Sequence, residues 1–276
     1  MTRHVFVRSA IAVLAAGWLA ALVPGVAHAQ ATYFYRGGNR TWSNTADWYT
    51  TYLGTTNPGQ VPGSNDTAVF NGSGLNTTGT VNFIGAASAR GLRILQTATG
   101  GLTLRSPTTT AGTLTLGAGG IFQQPGNTAT LTLGGASNPL NMTLSAAQAW
   151  RLAGGNITIS NTVTGNAASG TSRTLLIDRA AHVDAGNATF IDGAGAGPLN
   201  LWINNSGTFG FNANSTFTGV LTLQASAGAG SGILLLSGSA ANLQLAGFRF
   251  ENNRAFRTSS SGTTTMLGGS SLLNYN

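Results

Sequence analysis

Residues 112–135, GTLTLGAGGIFQQPGNTATLTLGG, restrict the possible folds more than any other stretch of the chain. In each LTL triplet leucine and threonine alternate, so a strand there turns its leucines to one side and its threonine to the other. A strand this short cannot hold a core alone. Repetition can, because strands stacked in register bury a continuous leucine column that no single copy could close off from water.

Related triplets begin at Leu102, Leu114, Leu131, Met142, Ile157, Leu175, Leu199, Leu221, Leu234 and Leu243, at uneven intervals. Turn residues punctuate the gaps, as in GAGG at 117–120, QPGN at 124–127, GGASNP at 134–139 and GAGAGP at 193–198. No gap carries a helical period with caps. Helical proteins cover their outer faces with Lys and Glu, whereas only 7% of this chain is charged and all 13 basic residues are arginine. That composition favours strands dressed in Thr, Ser and Asn. The expected fold is all-β: a parallel β-helix, or β-solenoid, with turns of unequal length and two or three short strands per rung. A β-sandwich would also give short strands, but it does not require them to resemble one another. A transmembrane barrel needs strands of about 9–11 residues and aromatic girdles. Here the alternation soon breaks off at each turn and the body has no girdle.

Three regions follow. Residues 1–31 read as a secretory signal peptide: Arg3, His4 and Arg8 precede an apolar run from Ala10 to Val23, Pro24 and Gly25 break it, and cleavage is expected after Ala29 or Ala31. The run is shorter than the ~20 apolar residues of a membrane anchor. Residues 32–80 concentrate Tyr33, Phe34, Tyr35, Trp42, Trp48, Tyr49, Tyr52 and Phe70. They are read as an aromatic end cap, since the first layer of a solenoid must be covered, in preference to a platform for stacking sugars or bases. Residues 81–276 are the repeat body. Without cysteine, stability must come from burial and strand ladders. Loss of Arg3 and Arg8 would lower the formal charge from +7 to +5, too diffuse to suggest nucleic acid.

Several stretches give the chain a likeness to a known family. TWSNTADW…PGSNDTAVF resembles a W-x5-W…P-x3-D-T-A-x-F opening, MTLSAAQAWRLAGGNITISNTVTG at 142–165 resembles a strand of the L-S-x-x-Q-x-W kind, and NSTFTGVLTL at 214–223 resembles, with one residue more before its glycine, an N-x3-G-x3-L element. In these respects the chain resembles the autotransporter-associated β-strand repeat proteins. That resemblance implies a right-handed parallel β-helix serving as the extracellular passenger or stalk of a bacterial surface protein. The sequence departs from the fullest pattern by ending at SSLLNYN with neither a translocator barrel nor a sorting tail, as in a released protein or a piece of a longer one.

Solenoids also host enzymes that cleave acidic polysaccharides, which requires two carboxylates across one bond. Only LLIDRAAHVDAGNATFID offers a cluster: Asp178, Arg179, His182, Asp184 and Asp192. Alternation would set Asp178, His182 and Asp184 on one side of a strand that ran unbroken through Ala180 and Ala181. Asp66 is expected to hydrogen-bond the turn it starts. GFRFENNRAFRT at 247–258 reads as an alternating closing strand with outward arginines. No Walker loop, nucleophile elbow, HExxH, zinc spacing or Ca²⁺ nonapeptide is present.

The sequence thus points to an exported, non-enzymatic scaffold or adhesin-like module. It would need no cofactor or metal and would not bind nucleic acid. Its contacts would be with a glycan or surface protein along its length, and no membrane span would remain after cleavage. A polysaccharide lyase or hydrolase using Asp178, His182 and Asp184 is the alternative. Ordered-water or ice binding by Thr103, Thr115 and Thr132 is a third, which unequal turns oppose.

Overall fold

The computed structural model describes residues 30–52, 56–70, 79–95, 100–153, 155–180, 182–205, 208–212, 215–225, 233–237, 242–244, 247–251, 255–258 and 265–267. From Ala31 onward the chain is one compact unit. Apart from a short 3-10 turn, Thr45–Asp47, its described elements are strands. Among the described residues no helix is long and apolar enough to cross a membrane.

One coil shows how the sequence makes the architecture. Strand Gly112–Gln123 is bent: Thr113 to Leu116 pair with Ala86 to Ala89, the register slips at Gly117–Gly119, and Gly120 to Gln123 pair with Gly91 to Ile94. The QPGN turn then leads to Leu131–Leu133, which pairs with Leu102–Arg105. Three parallel ladders result, and the chain passes through each in turn. The first face contains Thr32–Tyr35 and Gln148–Arg151. The second contains Leu102–Arg105 and Leu131–Leu133, and the third contains Leu140–Leu144. The fold is a β-solenoid.

Leu114 and Leu131, which begin near-identical triplets, do not stack on each other. They lie on the third and second faces of one coil. Sorted by face, the spacing evens out for the middle coils, although Leu201 and Leu221 stack only 20 residues apart. Leu114 stacks on Met142, Ile121 on Trp150 and Leu104 on Leu133, and the separation along the chain is nearly the same in all three pairs. Inward columns such as Leu92, Ile121, Trp150, Ile177 and Ile203 are fully buried.

Buried amides hold the corners. The Leu116 carbonyl accepts from Ser145 N (2.8 Å), Ser145 Oγ (3.0 Å) and Gln148 Nε2 (3.1 Å), and Trp150 Nε1 donates to Gln148 Oε1 at 3.0 Å. That network accounts for Q-x-W: Gln148 pairs the buried Trp150 indole N–H and, with the Ser145 hydroxyl, adds to the bond that Ser145 N already makes to the Leu116 carbonyl. At the next corner Gln123 Nε2 donates to Asn127 Oδ1 (3.0 Å) and Ala129 O (2.8 Å). Gln123 Oε1 accepts from Ala153 N (3.1 Å), and Asn127 Nδ2 donates to Leu95 O (2.6 Å). Three coils are stitched together there.

Five of the amino-terminal aromatics, Tyr33, Tyr35, Trp42, Trp48 and Phe70, are with Phe83 at most 2% exposed and belong to this core. Phe34 and Tyr49 are half-buried and Tyr52 is 47% exposed, with Phe34 and Tyr52 edge to face at 6.1 Å. Trp42 and Trp48 meet edge to face at 4.9 Å, and Trp48 Nε1 donates to Trp42 O at 2.9 Å. The short strand Trp48–Tyr49 pairs antiparallel with Thr32–Tyr35 and so covers the outer edge of that strand. Buried Asp47 accepts from Arg40 Nη1 at 2.8 Å and Asn44 Nδ2 at 2.9 Å.

Burial, and secondarily the charge of Asp47, raises the pKa of the Tyr35 phenol above its ordinary 10.0. The unfolded chain releases this proton from about pH 10, whereas the folded chain keeps it. Tyr35 therefore contributes stability that is complete below about pH 10 and falls as pH rises toward the folded value. Tyr35→Phe is expected to flatten the alkaline decline in melting temperature between about pH 9 and about pH 12 relative to the parent. Parallel declines in the two proteins would show that Tyr35 carries none of it.

Candidate functional site

On the first face the strand pairing aligns one outward residue per coil. Arg93 is in register with Phe122, Phe122 with Arg151, Arg151 with Asp178, Asp178 with Asn204, and Asn204 with Gln224. The Arg93 guanidinium lies over the Phe122 ring, 5.6 Å from its centroid. Beside this column runs a second, from Ala149 through Leu176 and Trp202 to Thr222. Trp202 is 41% exposed, and its Nε1 donates to Gln224 Oε1 at 3.2 Å.

Two clefts open on this face with Phe122 in the wall of both. One, of about 470 Å³, is bordered by Arg151, Asp178, Arg179 and the Pro125–Gly126 turn. The other, of about 280 Å³, is bordered by Thr67, Arg90 and Arg93. The Gln123–Asn127 stitch fixes the turn that forms the rim of the larger one.

Arg179 sits at a strand irregularity with φ of 60°, which swings its side chain out at the corner. It is 75% exposed and its Nε stands 3.8 Å from Asp178 Oδ2, a pairing that contributes little in water. Asp178 is held more closely by Asn204 Nδ2, at 2.8 Å. Among the described residues, Arg93 and Arg151 have no carboxylate within ion-pair distance.

The run from Asp178 to Asp192 is distributed around the coil, so the unbroken strand that would have set Asp178, His182 and Asp184 on one side does not form. Strand Arg173–Ala180 ends at the bulge, and Val183–Ile191 begins on the second face. Asp178 belongs to the first face. Asp184 lies on the second, in register with Thr158 and Gly210, and its Oδ1 accepts from Gly186 N at 3.2 Å. Half-buried His182 lies at the corner, where its carbonyl accepts from Ile157 N. Asp192 accepts from Leu199 N at 2.7 Å and from Thr218 N and Oγ1 at 3.0 and 2.7 Å, which ties its turn to the following coil. Of Asp178, His182 and Asp184, the wall of the larger cleft contains Asp178 alone. Among the described residues no group of three or more His, Cys, Asp or Glu could hold a metal ion.

The threonine candidates also separate. Thr103 and Thr132 share a column with Thr80 and Thr158, while Thr115 stacks with Ser88, Thr143 and Thr164 on the third face. These columns give way to Asp184 and Ile191 in the next coil. Asp66 bonds its turn as expected, accepting from Gly63 N at 2.9 Å, and it also accepts from Ala31 N at 3.0 Å. GFRFENNRAFRT is not one closing strand. Gly247–Glu251 continues the first face and Ala255–Thr258 the second, and Arg254 lies outside the described residues.

The chain matches no protein-family model, no curated protein and no solved structure. The arginine–aromatic column went unseen in the sequence, although a signal existed. In LRI at 92–94, IFQ at 121–123 and WRL at 150–152 the outward residue is Arg93, Phe122 and Arg151 in turn, and these three are evenly spaced along the chain.

Proposed function

We propose that this chain is an exported, non-enzymatic β-helical module, working as a cell-surface scaffold or adhesin-like passenger of the autotransporter-associated repeat kind. The observation that carries the reading is how its carboxylates are used. Asp47, Asp66 and Asp192 each accept two or more hydrogen bonds that fasten turns or neighbouring coils. Such use suits a rigid rod whose outward ladders contact a partner through many weak bonds. The enzymatic alternative has one observation in its favour, Asp178 in a cleft with two arginines. Polygalacturonate incubated with the purified chain separates the two. The scaffold reading expects no release of reducing ends or unsaturated products, whereas turnover abolished by Asp178→Asn would replace it with the enzyme.

Export has its own test. The Ala31 amide donates to Asp66, and the Ala31 carbonyl accepts from Thr67 N at 2.9 Å, so cleavage after Ala31 would remove both bonds. Cleavage after Ala29 keeps them. The full chain, tagged at its carboxyl end and produced in a Gram-negative host, is expected outside the cytoplasm with Gln30 as its first residue by terminal sequencing. Retention inside with Met1 intact would sink the export reading, and a chain starting at Thr32 would sink the choice of Ala29.

A further inference from the structure

We infer that the first face carries a binding site for an acidic polysaccharide, read by Arg93, Arg151 and Arg179 around the Phe122 ring. As the ligand of a surface module the inference rests on the function proposed above. It is tested on purified protein, however, so it stands or falls apart from where the chain resides.

Charge is the first argument. Between residues 30 and 225 the described arginines are Arg36, Arg40, Arg90, Arg93, Arg105, Arg151, Arg173 and Arg179. Four of these eight border the two clefts, and of the described aspartates only Asp178 does. The other described aspartates lie away from the clefts: Asp47 pairs with Arg40, Asp66 bonds Ala31 and Gly63, Asp184 accepts from Gly186 on the second face, and Asp192 bonds Leu199 and Thr218. The first face therefore presents a local excess of cations that an anionic ligand can neutralise.

Geometry narrows the class. Adjacent strands are about 4.8 Å apart, so Arg93 and Arg151, separated by one strand, stand about 10 Å apart along the solenoid axis. A planar guanidinium fork matches a carboxylate or sulfate on two bonds. Phe122, between them in register, has Arg93 over its ring and also lines the larger cleft beside Arg151, where the CH face of a sugar can lie against it. Cations repeated along a line with a ring between them suit a linear, regularly charged polymer better than a single small anion. Strand stacking sets the direction of that line. Arg179, swung out by its left-handed backbone, closes it at the far end of the larger cleft.

The experiment measures binding of the purified chain to polygalacturonate by titration calorimetry. Neutral dextran, single-stranded DNA and anionic phosphatidylglycerol vesicles are the comparisons. Binding to polygalacturonate is expected to weaken as salt rises. The double variant Arg93→Gln, Arg151→Gln is expected to lose at least tenfold in affinity with an unchanged thermal melt, since both side chains are exposed. Phe122→Leu, which keeps apolar bulk without a ring, is expected to lose about threefold to tenfold. Failure of polygalacturonate to bind overturns the inference, as does affinity unaltered in the double variant. Equal binding of dextran, or tighter binding of DNA or vesicles, overturns the assignment to an acidic polysaccharide.

Discussion

Gly120→Val is expected to cost about 3–5 kcal/mol or to leave no folded protein. Gly120 has φ of 55°, and a Cβ built there would stand 2.1 Å from the Ala149 carbonyl oxygen of the next coil. Neither half of the problem can relax cheaply. The left-handed backbone is what bends strand Gly112–Gln123 from the third face to the first, and a β-branched residue adopts it only under strain. The obstructing atom is backbone, and its strand is paired on both sides, to Ile121 and Phe122 above and to the strand containing Ile177 below. Ala118→Val is the control. It lies two residues away in the same GAGG, is exposed, and is expected to change stability by no more than about 0.5 kcal/mol. Urea unfolding of both variants, followed by far-ultraviolet circular dichroism, decides the matter. Similar midpoints for the two would mean that the glycine corner tolerates a side chain and that the close approach of coils is not a constraint.

Trp150→Ala is expected to destabilise by about 3–5 kcal/mol. Trp150 is fully buried, stacks between Ile121 and Ile177, and donates to Gln148, whose own amide holds the Leu116 carbonyl. Its removal would leave a cavity in the column and an unpaired amide oxygen beside it. Its chain neighbour Arg151 faces outward, and Arg151→Ala is expected to move the same urea midpoint hardly at all. A solenoid adds a spatial prediction, because each coil touches chiefly its neighbours. Hydrogen exchange should rise most in the strands bearing Ile121 and Ile177 and less toward Tyr35. Uniform loss of protection throughout would show that the solenoid unfolds as one cooperative block.

These two sites mark how far the sequence could be read. Trp150 was legible as an inward residue, because alternation in QAWR places it opposite Ala149 and Arg151. Gly120 was legible only as turn punctuation. Its true constraint is the backbone of the following coil, which no local pattern displays. The same division runs through the candidate site. Period-two alternation makes Asp178, His182 and Asp184 collinear only on a strand unbroken through Ala180 and Ala181, and the sequence alone does not say whether the strand continues. A bulge at Arg179 turns the chain there, and the two aspartates belong to different faces. Conversely, Arg93, Phe122 and Arg151 are far apart in sequence and ordinary in local context, yet the stacking interval sets them in one column.

The sequence by itself determined the class of structure. Alternating Leu and Thr in short runs, parted by glycine turns and almost without Lys or Glu, can bury its leucines only by stacking strands. The period-two rule and the hydrophobic effect give paired strands, and the likeness of the runs to one another then favours a solenoid over a sandwich. What only the tertiary structure decided is which repeats share a face. Turn lengths set the phase of each coil, and the phase depends on non-local pairing energies that no triplet contains. Leu114 and Leu131 are therefore near-identical in sequence but point inward from different faces. The outward arginines align because successive coils of equal length bring them round to the same side.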